Sequence, residues 1–389
     1  MSRRVSVGVS CAAVAAAVLI GACGSAPAHQ AAYSGSVVPV ASMDTSLGGA
    51  AGTWATVLMG GSAAQHNNFW QLFFRPAGTS TWKLVTPPGT ADNGGLVLAA
   101  GAGPSAISAF RPSQDLTFTP LIQTSDGGQA WSALSPLDAP LASTPAALAL
   151  ESAGSGQLLA LTTASTAEQA SPKAGKWTTL ASLRTLGATP AGRQCGLRAL
   201  TAAGYLPSGV PLLAGLCSHP GIAGIFADRD GRWQAAGLTL PPSLAGQDLT
   251  VLRLVAVDNQ TAALLQAGNG SDSSLLVAWS GPAAGQWTIS PGLELNGAAL
   301  MSASFGLAGT VAAITGGGTA AVITSSARSW QRLPALPRST VTLALGAAGQ
   351  PDALAVHGST LTVWQLATDG HAWTRAQVIN VPIEYGSSS

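Results

Sequence analysis

The chain has 389 residues, of which 8% are charged against roughly 25% in an average protein, and 17 Lys+Arg face 16 Asp+Glu for a formal charge of +1. No clustered cationic stretch is present to neutralise a phosphate backbone, which argues against nucleic acid as a partner. Hydrophobic residues at 47% argue against intrinsic disorder, while 47 Gly and 24 Pro punctuate the chain too often for long helices, so short strands and many turns are expected.

In chain order, Arg3 and Arg4 precede an apolar Ala/Val-rich run over residues 5–22, the pattern of an export signal. It ends in Leu19-Ile20-Gly21-Ala22-Cys23, which resembles a bacterial lipobox: an aliphatic residue, two small residues, then a cysteine. The resemblance implies removal of residues 1–22, acylation of Cys23 (palmitate among the acyl chains) and a lipoprotein on the extracytoplasmic face of the cell membrane. Several acyl chains anchor stably because each buried methylene contributes about 0.8 kcal/mol. The rival reading is an ordinary signal peptide with an incidental cysteine. Residues 23–49, rich in Ser, Ala and Pro, are expected to be a flexible stalk, and residues 50–389 the folded domain. Cys11 lies in the removed segment, so Cys195 and Cys217 remain to form a disulfide in an oxidising compartment. Zinc is the alternative for that pair, with His219 close by, but a fourth ligand is missing.

The domain itself is read from its tryptophans. Trp82, Trp131, Trp177, Trp233, Trp287, Trp330 and Trp373 each follow a turn rich in Gly, Ser, Asp or Lys and open a short alternating segment. Repeats of roughly 40–55 residues with several short strands apiece are what propeller blades require, because one four-stranded sheet cannot bury both faces alone. The expectation is an all-β, seven-bladed propeller of four-stranded antiparallel blades, opening near Trp54 and completed by residues 378–385, with closure by residues 36–40 left open. A β-helix has shorter coils, and paired sandwiches would not sustain one period for so long.

The turn Thr124-Ser125-Asp126-Gly127-Gly128-Gln129-Ala130-Trp131 resembles the Asp-box, Ser/Thr-x-Asp-x-Gly-x-x-Trp, of BNR-type propellers such as sialidases and photosystem assembly factors, and the whole is also similar in architecture to YVTN-type propellers. In that family Thr124, Asp126, Gly128 and Trp131 would be structural, not catalytic. Copies before Trp233 and Trp373 are degraded.

Chemistry is sparse. No nucleophile elbow, zinc-binding helix, P-loop or dinucleotide fingerprint occurs, and the histidines are scattered, so no metal and no cofactor are expected. Asp228 and Asp230 are read as turn formers rather than calcium ligands. Sialidases need three arginines, a tyrosine nucleophile, a glutamate and an aspartate; here only Tyr205 and a handful of glutamates are available. Phe74-Arg75-Pro76 and Phe110-Arg111-Pro112 are similar to the sialidase Phe/Tyr-Arg-Ile-Pro motif without its Ile, and both arginines are expected to be solvated. Leu197-Arg198 and Leu252-Arg253 occupy apparently matching places in consecutive innermost strands, so Arg198 and Arg253, with Glu151 and Asp258 at neighbouring strand ends, are the candidate channel site for an anionic group. The leading expectation is a non-catalytic binding or scaffold module for a protein or glycan partner at the envelope. The alternatives are a divergent sialidase-type glycoside hydrolase and an assembly factor for a membrane complex.

Overall fold

The computed structural model describes residues 45–60, 68–87, 95–101, 103–110, 117–151, 155–171, 175–268, 270–282, 286–346 and 349–381. The export signal, Cys23, most of the expected stalk, Arg111 and residues 382–389 lie outside the described residues.

Seven four-stranded antiparallel blades follow one another along the chain, at residues 45–84, 96–133, 148–182, 197–235, 249–289, 300–332 and 340–380, each running from its innermost to its outermost strand. Middle strands are buried on both faces, as in Ser274–Ser280 and Val311–Thr315, where every residue is buried. A strand covered by neighbouring blades on both sides reads as a continuous apolar run, which is why alternation fades there. Small residues are required where inner strands of successive blades approach closely: a Cβ on Gly204 of blade 4 would lie 2.6 Å from the Leu254 Cβ of blade 5. Outermost strands are short and exposed, as in Lys83–Leu84 and Gln331–Arg332. The Asp230-Gly231 corner, with both residues at positive φ (54° and 75°), makes the tight hairpin between Arg229 and Arg232.

The domain starts earlier than expected. Thr45–Gly49, assigned above to the stalk, is the innermost strand of blade 1 and pairs with Gly52–Gly60. Its Ser/Gly composition disguised a strand whose ladder, not its side chains, holds it. It also pairs in parallel with blade 6 at Leu47 and Phe305, and Ser46 Oγ donates to Leu343 O of blade 7 at 3.1 Å.

The recurring tryptophans join blade to blade. The indole N–H of Trp131 donates to Val85 O of the segment leaving blade 1 at 2.9 Å, Trp287 to Ala236 O after blade 4 at 2.9 Å, and Trp330 to Pro291 O after blade 5 at 3.0 Å. Trp177 and Trp373 repeat the bond at 3.5 Å, to Ser135 O and Pro334 O. Each indole therefore closes on the outer edge of the blade before it. Trp233 is the exception: its indole makes no hydrogen bond to a described residue. Ahead of its blade the chain inserts two short helices, α1 (Leu183–Gly187) and α2 (Pro190–Cys195), capped by Ser182 and Thr189. The Cys195–Cys217 disulfide ties α2 to the second strand of blade 4.

Trp82, in blade 1, turns instead to blade 7. Its indole donates to Asp352 Oδ2 at 3.0 Å, Arg75 forms an ion pair with the same oxygen and lies over the Trp82 ring at 5.1 Å, and Gln377 exchanges hydrogen bonds with the Trp82 main chain at 2.8 and 2.9 Å. Arg75 and Asp352 are buried. The expectation of a solvated Arg75 is thus corrected: the residue that pairs with it lies 277 positions away. Burial pushes the Asp352 carboxyl up, against the opposing pull of Arg75 and Trp82.

Two stability outcomes are expected. Arg75→Met leaves a buried carboxylate without its cation and should cost about 3–5 kcal/mol in denaturant melts, with the Arg75→Met/Asp352→Leu double variant recovering part of the loss. Cys195→Ser should lower the stability of the oxidised protein by about 3 kcal/mol and leave the reduced protein nearly unchanged, as read from melts with and without reductant.

Candidate functional site

The innermost strands of blades 1 to 5 line a central cavity of about 50 Å³, walled by Leu47, Leu98, Leu148, Leu150, Tyr205, Arg253 and Leu254 among several alanines. Ligand-holding clefts run to about 300–1,000 Å³, so this space suits a water or two and not a sugar ring. Leucine and alanine fill it because each inner strand turns its apolar positions to its neighbours.

Only part of the expected channel constellation assembles. Arg253 lines the cavity and is 5% exposed; its Nη2 donates to Pro145 O at 3.4 Å, and the guanidinium faces the Phe305 ring at 5.9 Å. Burial pulls its pKa down to about 10, leaving it cationic at neutral pH. Arg198 is exposed at the beginning of its strand and does not join it. Both strands carry a bulge that fixes their alignment, in blade 5 between Val251 and Arg253 and in blade 4 between Leu200 and Ala202. Aligned on these bulges, Arg253 corresponds to Ala202, and further to Ser302 and Thr342 in blades 6 and 7, whose hydroxyls bond each other at 2.7 Å. On that alignment Arg198 stands four positions ahead of Ala202, so the two Leu-Arg pairs are not equivalent.

Glu151 is buried, and its Oε2 accepts from Ser155 Oγ at 2.7 Å and Gly156 N at 2.9 Å, closing the hairpin beyond its strand. Asp258 is exposed, at φ 52° in a hairpin on the rim, where Oδ2 accepts from Ala308 N at 2.8 Å and ties blade 5 to blade 6. It is not a channel residue. Tyr205, which composition did not promote, faces the cavity with its hydroxyl 3.4 Å from Gln169 Nε2. Burial, with Glu151 adding to it, pushes its phenol far above the ordinary value, opposite to what a nucleophile requires. Among the described residues no three His, Cys, Asp or Glu side chains come together as a metal site.

The turn at residues 124–131 is tightly organised. Thr124 Oγ1 donates to Asp126 Oδ1 at 2.7 Å and accepts from Gly128 N at 3.0 Å, while Asp126 Oδ1 accepts from Gln129 N and Ala130 N at 2.9 and 3.0 Å. The Ala130 and Thr124 hydrogen bonds hold the Asp126 carboxyl below its ordinary value. Gly128 has φ 83°, and a Cβ there would lie 2.5 Å from Val85 Cβ, so the turn needs glycine both for its backbone and for its contact with blade 1. Trp131 then packs edge-on to Trp54 at 6.4 Å. A folded pKa below the unfolded one stabilises above the ordinary value of 3.8 and ceases to do so as pH falls through the folded value. Asp126→Ala should therefore melt below the wild type at pH 7, with the gap closing in acid. A gap that persists in acid would assign the effect to packing.

No protein-family model matches the chain, and no curated protein matches its sequence. Solved structures do match in fold. A xyloglucanase from Xanthomonas campestris superposes with a TM-score of 0.53 at 12% identity over 87% of this chain, which spans only 55% of that enzyme. A protein described as a putative 6-phosphogluconolactonase from Bacteroides fragilis gives 0.53 at 11% identity over 84% of this chain and 95% of its own. YCF48 bound to D1 peptide gives 0.43 at 15% identity over 82% and 90%. At these identities the likeness is one of architecture, a β-propeller, and it assigns no activity.

Proposed function

We propose that this chain is a lipid-anchored, extracytoplasmic β-propeller that binds a protein or glycan partner at the cell envelope and performs no chemistry on it. The observation that supports the binding reading is the small space at the inner strands: the cavity lined by blades 1 to 5 holds about 50 Å³, too little for a sugar ring, which leaves the loops of the rim as the broader surface. The anchoring reading rests on Leu19-Ile20-Gly21-Ala22-Cys23. A sialidase-type hydrolase is the second reading, favoured by one observation, the meeting of Arg253, Tyr205 and the charge of Glu151. Against it stand the exposure of Arg198, the upward-shifted phenol and the engagement of Glu151 in its own hairpin. The cavity of about 50 Å³ also leaves no room for a sugar ring.

Metabolic labelling with an alkyne fatty acid should mark the wild type, and Cys23→Ser should lose both the label and membrane retention. Label that survives the substitution contradicts the anchor. Fluorogenic sialosides and xyloglucan should be left intact by the purified domain; turnover abolished by Tyr205→Phe would install the hydrolase reading instead.

A further inference from the structure

The seven-fold repeat is broken most clearly at blade 4. In blade 2 the chain, after its outermost strand, returns to the third strand: Leu137 and Thr119 exchange hydrogen bonds at 2.8 and 3.1 Å. In blade 5 it does the same, Leu293–Glu294 pairing with Leu275 and Ser274 beyond the Ala278 and Ile289 pair. Blade 4 begins the return identically, with Phe226 opposite Ala235 and Ala236 N donating to Ile225 O at 2.8 Å. The same step onward would set Thr239 opposite Ala223. Instead both line a groove of about 310 Å³, and the main chain of residues 237–240 makes no hydrogen bond to any described residue.

The groove's third wall is α2, through Ala191, Gln194 and Cys195, held in place by the disulfide and by Gly196 at positive φ. The helical insertion thus stands where it keeps the two backbone edges apart. No ionisable side chain lines the groove, since Cys195 is in the disulfide; the walls are Ile222, Ile225, Phe226, Leu238, Leu240 and small residues. A charged occupant would be desolvated there without a counter-charge, so the groove selects an uncharged one. The main chain of residues 237–240, without a partner among the described residues beside an apolar slot, meets the requirement for capture of an extended peptide by added-strand pairing, while on the facing side the Ala223 carbonyl already accepts from Ile225 N at 2.9 Å.

We propose that this groove binds an extended, uncharged segment of a partner polypeptide, which pairs with the main chain of residues 237–240 across the gap from Ala223. This rests on the binding-module reading above and names its partner class as protein. The volume lies at the lower end of the ligand-holding range of about 300–1,000 Å³, which suits a few residues of a longer docked chain.

The probe is a terminally blocked hexapeptide library drawn from Val, Ile, Thr, Ser, Ala and Gly, panned on the full mature chain. Selected peptides should slow amide hydrogen exchange at residues 222–225 and 237–240. Ala191→Trp, which fills the groove from the helix, should weaken them by about tenfold or more. N-methylation of alternate peptide bonds in the ligand should do the same without touching the protein, so the inference stays testable even if the variant folds poorly. It is overturned by a panning that yields no binder, by protection elsewhere, by N-methylated peptides that bind as well, or by dodecyl maltoside protecting these residues where peptides do not, which would make the groove an acyl-chain site. If an envelope partner crosslinks equally to wild type and Ala191→Trp, the groove is wrong and the binding module stands. If no partner crosslinks to either, the module reading fails as well.

Discussion

A four-stranded sheet that is apolar on both faces has no stable existence outside a stack, and the way each blade is fixed to the one before it governs the rest of this structure. Here the fixing group is an indole. A tryptophan at the start of the outermost strand covers the preceding blade's edge with its ring and satisfies a carbonyl with its N–H, at 2.9–3.0 Å in blades 2, 5 and 6. One such bond contributes about 0.5–1.5 kcal/mol net, and its value lies in repetition and in the directionality that apolar packing lacks.

Closing the ring demands something different, because blades 1 and 7 are each built from one continuous segment of the described chain and share no sheet. The first blade's tryptophan has the Asp352 carboxylate as its acceptor, and Arg75 neutralises that carboxylate inside the seam. A charge-assisted network replaces the pairing that a shared blade would supply. Blade 1's innermost strand, Thr45–Gly49, adds a second closure by reaching blades 6 and 7, and its Leu47 lines the central cavity.

The repeat was legible in the sequence because its tryptophans follow Asp/Gly turns at a near-regular interval, and the observed outermost strands begin at or beside them. The interior of the channel was not legible. Leu197-Arg198 and Leu252-Arg253 match as dipeptides, but they stand four positions apart once the strands are aligned on their bulges, so Arg198 and Arg253 looked equivalent and are not. Arg75 read as a turn residue because its partner is distant in sequence, and Asp352 carried no signal of its own. Thr45–Gly49 read as linker because Gly and Ser say nothing of a ladder formed elsewhere in the chain. The groove beside α2 could not have been foreseen either, since it arises from a pairing that blades 2 and 5 make and blade 4 omits.

Blade 4 differs from its neighbours by two helices, a disulfide and a missing clasp at Trp233. The most direct test of the central claim is hydrogen exchange at the tryptophan indole N–H groups, resolved by ¹⁵N labelling. Slow exchange is expected at Trp82, Trp131, Trp287 and Trp330, released together on global unfolding, and fast exchange at Trp233. Indoles at the clasps exchanging as readily as Trp233, or released one blade at a time, would show that apolar packing alone holds the blades and that the indole bonds are incidental.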